Sequence, residues 1–65
     1  MSFTDEELKE YIIAFFENND MLPPVNTISL RFRTNSYVVD TRLKRLENLG
    51  FIKKNSINKY MFPRG

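Results

Sequence analysis

Along the chain, large apolar residues first recur at Leu8, Tyr11, Ile12, Phe15 and Phe16. Steps of three and four residues put this set on one side of an amphipathic helix. The stretch Phe3-Thr4-Asp5-Glu6-Glu7-Leu8 just before it carries start signals. Thr4 is placed to cap, Glu7 to reach back as the second half of a capping box, and Phe3 and Leu8 to close a hydrophobic staple. Asp5, Glu6 and Glu7 suit the positive end of the helix dipole. The pattern predicts a first helix from about Asp5 to Asn18, ending in the turn-prone Asn18-Asn19-Asp20.

Pro23-Pro24 then excludes helix immediately before it and presets the backbone for a new one. A short second helix is predicted from about Val25 to Phe32, burying Val25, Ile28 and Phe32. Arg33-Thr34-Asn35 forms a tight turn, with Asn35 or Thr34 as the next cap. The third helix is predicted from about Ser36 to Leu49 and stops at Gly50; Val39, Leu43 and Leu46 share its core side, flanked by Leu49. Beyond Gly50 the period changes. Phe51-Ile52-Lys53-Lys54 and Lys59-Tyr60-Met61-Phe62 read as two short strands around Asn55-Ser56-Ile57-Asn58, and Pro63 ends the hairpin. Nothing repeats, and no linker or low-complexity stretch interrupts residues 1–65. The expected fold is mainly α with a small β-hairpin: a single winged helix-turn-helix domain of three helices and a two-stranded wing.

A helix pair joined by three or four residues, with a further helix behind it, lets its second helix enter a major groove of double-stranded DNA. The hairpin would lie beside the duplex and touch backbone or minor groove. Opposite the core side of the third helix stand Tyr37, Thr41, Lys44 and Asn48, flanked by Asp40 and Arg45. Thr can contact several bases, Lys or Arg serves guanine, and a carboxylate accepts from cytosine. The start of a recognition helix goes deepest, which selects Ser36, Tyr37, Asp40, Thr41 and Lys44 for base contact. Arg31, Arg33, Arg42, Arg45, Lys53, Lys54 and Lys59 supply cations on successive elements for phosphate contact, with Asn55 and Asn58 at the hairpin tip. The same residues also fit an ordinary solvated face, with Asp40 and Lys44 an i,i+4 pair.

Composition narrows the alternatives. Net charge is only +2, but it is segregated. Residues 1–20 carry six carboxylates against Lys9, a balance of −5, and residues 21–65 a balance of +7. The basic part would attract a polyanion. With neither cysteine nor histidine, disulfides and the usual zinc ligands are absent and no metal or other cofactor is expected. A general base at neutral pH would need strongly shifted carboxylates, and two glycines make no phosphate loop; an enzyme is not expected. Apolar runs are too short for a membrane span or signal core, so the chain reads as soluble and cytoplasmic.

From Leu22 onward the chain resembles the winged-helix domains of bacterial transcription regulators, the GntR type above all and more loosely the MarR and LexA types. Leu22-Pro23, Ile28, Phe32, Val39, Leu43, Leu46 and Gly50-Phe51-Ile52 keep that spacing, and Leu43-Lys44-Arg45-Leu46-Glu47-Asn48-Leu49-Gly50-Phe51-Ile52 is similar to the helix-to-wing signature of the group. The resemblance implies base contact by Ser36, Tyr37 and Val38 and phosphate contact by Arg31 and Lys54. The chain departs from the pattern in three places. Arg33 stands where a glycine usually makes the turn, Thr34 replaces an apolar residue, and the glycines common at the wing tip give way to Ile57 and Lys59. No effector or dimerisation domain is expected to follow, which resembles small phage or plasmid regulators and winged-helix excisionases.

Leu30 on the outer side of the second helix, and Ile13 toward the polar side of the first, read as a partner or dimer surface. They sustain a rival reading, a protein–protein module such as an anti-repressor on the same fold. On DNA, a domain of this size would act as a homodimer or as a cooperative oligomer.

Overall fold

The computed structural model describes residues 3–57 and 59–63. Asn58, read above as part of the hairpin tip, lies outside the described residues. Three helices, α1 (Asp5–Asn19), α2 (Val25–Phe32) and α3 (Ser36–Asn48), precede two short strands, β1 (Lys53–Lys54) and β2 (Tyr60–Met61). The strands pair antiparallel, with Lys53 opposite Met61 and Lys54 opposite Tyr60. This is the winged helix-turn-helix layout: α2, a tight turn and α3, backed by α1 and followed by a hairpin. None of the helices among the described residues is long and apolar enough to cross a membrane.

Each helix begins and ends for a local reason. At the start of α1 the Thr4 hydroxyl accepts from the Glu7 N–H at 3.1 Å, and the Thr4 N–H donates to Glu7 Oε1 at 2.9 Å. That closes the capping box. The α3 cap is Asn35, whose Oδ1 accepts from the Val38 N–H at 2.9 Å. Pro24 precedes α2 in extended conformation with no side-chain cap. All three helices run into a residue of left-handed conformation: Asp20 (φ 56°), Arg33 (φ 53°) and Gly50 (φ 84°). Only one of the three is glycine. The turn at Arg33 is nonetheless the one a glycine would make, with Thr34 N–H donating to the Ser29 carbonyl at 3.0 Å.

Leu8 and Ile12 of α1, Ile28 of α2, and Val39, Leu43 and Leu46 of α3 meet in the core, joined by Phe3 and Ile52 from the flanking segments. The α1 stripe is narrower than its spacing predicts. Tyr11 and Phe15 are half-buried, and Phe16 is exposed at its edge against Phe62, their rings 5.0 Å apart and nearly perpendicular. Leu49 does not flank the α3 core side but is exposed, because α3 ends at Asn48 and the chain turns away through Gly50. The strands are shorter than the pattern predicts. Ile52 is drawn into the core, while Phe51 and Phe62 stack edge to face on each other at 5.6 Å.

The first helix is tied to the third across the chain. Asp5 Oδ1 accepts from Arg42 Nη1 at 2.9 Å and Asp5 Oδ2 pairs with Arg45 Nε at 3.2 Å. Phe3 lies between Phe32, stacked at 4.5 Å, and the Arg42 guanidinium, 4.7 Å from its ring centre.

Replacing Asp5 by Asn removes charge from a fork that is half-buried at Asp5 and Arg42 and open to solvent at Arg45. The expected loss is about 1–3 kcal/mol, in the range of hydrogen bonds to charged groups, read as a lower urea midpoint at unchanged slope. An unchanged midpoint would mean that the fork is ornamental. The capping box adds a pH dependence. Hydrogen bonds from the Thr4 backbone and then its hydroxyl, with the Arg31 charge behind them, hold the Glu7 carboxyl below the ordinary glutamate range. A lowered folded-state pKa stabilises above the unfolded value, and that contribution disappears as pH falls through the lowered one. Thermal unfolding of Glu7→Gln, which keeps an oxygen acceptor for the cap, is therefore expected to be less pH-dependent across the acid range than that of the parent chain.

Candidate nucleic-acid interface

Helical geometry divides α3 into four sides. Val39, Leu43 and Leu46 face the core. Arg42 and Arg45 lie on the side turned toward the start of α1, where Asp5 holds them. Asp40 and Glu47 lie on the opposite flank, turned toward the wing. The Tyr60 hydroxyl there is buried and has no hydrogen-bond partner among the described residues. Burial first, then the Glu47 and Asp40 charges, raise its pKa above the ordinary tyrosine range.

The fourth side faces outward. Tyr37 is 79 % exposed, and Thr41, Lys44 and Asn48 are exposed with it, while Ser36 is exposed at the start of the helix toward the Asp40 flank. Among the described residues no other element packs over this ridge. Two of its members are partly engaged by their own helix. Thr41 Oγ1 donates to the Tyr37 carbonyl at 2.9 Å, so its hydroxyl presents lone pairs and its methyl outward rather than a free proton. Lys44 Nζ lies 3.4 Å from Asp40 Oδ2, the expected i,i+4 pair, with Lys44 exposed and Asp40 half-buried. Such a pair is worth only a few tenths of a kcal/mol in water, so Lys44 is readily drawn elsewhere. Asp40 is half-buried on the wing flank rather than at the crest. Val38 is half-buried and packs against the core.

The seven cations read from sequence as phosphate contacts separate into two groups. Arg42 and Arg45 are committed to Asp5. Arg42 is mostly buried by the fork and by Phe3, whereas Arg45 bonds through Nε and keeps most of its guanidinium in solvent. Among the described residues, Arg31, Arg33, Lys53, Lys54 and Lys59 make no salt bridge. All five are exposed. Two of them are positioned by aromatic faces. The Arg31 guanidinium lies 5.2 Å from the Phe32 ring centre and 5.7 Å from that of Tyr11, and Lys54 Nζ lies 5.2 Å from Tyr60. Stacking occupies the flat face of a guanidinium and leaves its N–H edge directed outward.

Of the two apolar positions singled out in the sequence, Leu30 is 81 % exposed on α2 and Ile13 is 43 % exposed on α1. Ile13 stands in an exposed row with Glu6, Glu10 and Glu17, on the side of α1 away from the core. Among the described residues no group of acidic side chains is arranged to hold a metal ion.

The Asp5 fork was not legible in the sequence. Asp5 reads there as a first-turn carboxylate favoured by the helix dipole. Its two partners lie 37 and 40 positions away, and their spacing of three along α3 was the only available signal. Arg33 carries a conformational penalty that, among the described residues, no hydrogen bond or salt bridge of its side chain offsets. Arg33→Gly is expected to stabilise the chain by about 0.5–1 kcal/mol, relief of left-handed strain less the greater freedom of glycine when unfolded. Urea unfolding measures it, and a loss of stability would mean that the arginine side chain supports the turn. No family model matches this chain, and a search of curated proteins finds no relative of it.

Proposed function

We propose that this chain binds double-stranded DNA sequence-specifically, as a small transcriptional regulator, with α3 in the major groove. The observation that carries the reading is the outward ridge of α3. Tyr37, Thr41 and Lys44 are exposed on it, and α2, the turn and the hairpin carry five exposed cations that make no salt bridge among the described residues. An α-helix fits the major groove. Ser36, Tyr37, Thr41 and Lys44 supply a hydroxyl, an aromatic edge, a methyl and an ammonium at the end of α3 that goes deepest. Arg31, Arg33, Lys53, Lys54 and Lys59 clamp phosphate on both sides of that helix, and Arg45 adds a partly free guanidinium. Arg42 serves the fold instead. Asp40 acts from the flank, by holding Lys44 until a base edge replaces it.

A second reading has one observation in its favour, the nearly complete exposure of Leu30 on α2. It fits a protein partner, or a second copy within a homodimer or cooperative oligomer on DNA.

Selection of bound sequences from a random duplex pool, followed by titration at two salt concentrations, tests the proposal. A defined site is expected, with affinity falling steeply as salt rises. Arg31→Ala and Lys54→Ala should weaken every sequence alike, each reducing the salt slope by about 1. Tyr37→Ala or Lys44→Ala should relax one position of the site at a loss of about 1–3 kcal/mol. No enrichment and no duplex binding at low salt, with a protein co-purifying through Leu30, would transfer the function to the second reading.

A further inference from the structure

Two exposed apolar side chains stand in settings of opposite charge. Ile13 of α1 is 43 % exposed. Glu10 lies one turn before it and Glu17 one turn after, on the same side of the helix. Both carboxylates are exposed, and neither makes a salt bridge among the described residues. Leu30 of α2 is 81 % exposed. No carboxylate occurs between Asp20 and Asp40, so the charges in its part of the chain are those of Arg31 and Arg33. Arg31 is seated over Tyr11 and Phe32. Arg33, whose N–H donates to the Leu30 carbonyl at 3.4 Å, is exposed and makes no salt bridge among the described residues. The two apolar residues do not share a face. A groove between α1 and α2 is lined by Tyr11 and Ala14 on one wall and by Arg31 and Arg33 on the other. Ile13 and Leu30 are each one residue, about 100°, round their helix from a wall of that groove, and each is turned away from both groove and core.

We infer that the Leu30 patch of one copy docks on the Ile13 patch of the next, so that the chain associates with itself head to tail. This rests on the second reading above, a partner surface at Leu30; it names that partner and stands apart from the DNA reading. Charge selects the arrangement. Leu30 against Leu30 across a two-fold axis would gather the Arg33 side chains of both copies, and Ile13 against Ile13 would gather their Glu10 and Glu17. Like charges brought together in this way oppose both pairings. The mixed contact sets the Arg33 guanidinium beside the free carboxylates and covers both apolar side chains at once. Because the patches lie on different faces, a copy that has used one keeps the other. Such a heterologous contact does not close after two copies, and the association stays open-ended. It is also small, one apolar side chain and its flanking charges on each partner, and so belongs with the weak class of interfaces.

The test is sedimentation equilibrium of the chain alone, over roughly 1 μM to 1 mM at low salt. The average mass of the parent should rise past that of a dimer without levelling. At about 1 M salt, where the screening length falls to ~3 Å, it should return toward the monomer. Leu30→Ser and Ile13→Ser should each be monomeric alone, since each lacks one half of the contact. Mixed in equal amounts they should form a one-to-one pair and nothing larger, which also shows that both are folded. A parent mass that levels at two copies, or Ile13→Ser that associates as the parent does, would reveal a closed contact through Leu30. Either overturns the head-to-tail contact and leaves the second reading standing. A parent that stays monomeric throughout overturns it too and leaves Leu30 to a different protein. Association indifferent to salt removes the charge argument and the inference with it. The measurement on the parent needs no variant, so a misfolded substitution leaves the inference decidable, and none of these outcomes bears on the duplex selection.

Discussion

Asp5 holds two guanidinium groups of α3 at once, and the orientation of the whole outward ridge depends on that grip. An apolar core sets how closely helices approach but controls their rotation loosely, because Val, Leu and Ile pack acceptably over a range of angles. A two-oxygen fork on two side chains spaced three apart is directional. Turning α3 by one residue would move both arginines about 100° away from Asp5 and carry Leu43 out of the core. Phe3 reinforces the grip from the segment before α1, with one ring face on Phe32 and the other on Arg42. The start of α1 therefore fixes which side of α3 the molecule presents, even though α1 itself lies behind it.

The fork also divides the positive charge of the chain between two tasks. Arg42 is used up inside the fold, Arg45 and Lys44 on α3 are exposed but each held by a carboxylate, and the five cations without a salt bridge among the described residues sit on α2, the turn and the hairpin. The crest of α3 is left with neutral hydrogen-bonding groups and one lightly held lysine. That is a surface of low charge density framed by high charge density. A helix studded with arginine would grip any polyanion with little regard to sequence; hydroxyl, amide and aromatic groups there make discrimination between partners a matter of shape and hydrogen bonding.

The three helices and the hairpin were legible because their signals are local. The capping box at Thr4 and Glu7, the Asn35 cap and the halt at Gly50 each occupy a few consecutive residues, and each forms as its spacing predicts. So does the outward position of Tyr37, Thr41 and Lys44, which follows from helical period once Val39, Leu43 and Leu46 are taken as core. What was not legible depends on pairs distant in sequence. The commitment of Arg42 and Arg45, the aromatic seats of Arg31 and Lys54, and the turn of Asp40 toward Tyr60 all need the crossing of elements to be known. Arg33 is a different case. Its side chain argued against the glycine-like bend, yet the backbone takes it, because the hydrogen bonds that close α2 outweigh roughly 1–2 kcal/mol of local strain.

The row of Glu6, Glu10 and Glu17 on the far side of α1 gives the molecule an electrical back as well as a front. A body charged in this way experiences a torque in the field of a polyanion and turns before it touches, so a larger share of collisions arrive with α3 leading. The same row repels a second strand of like charge. On the DNA reading proposed above, a copy bound through its basic front would turn this acidic row toward any second strand and repel it rather than tether it.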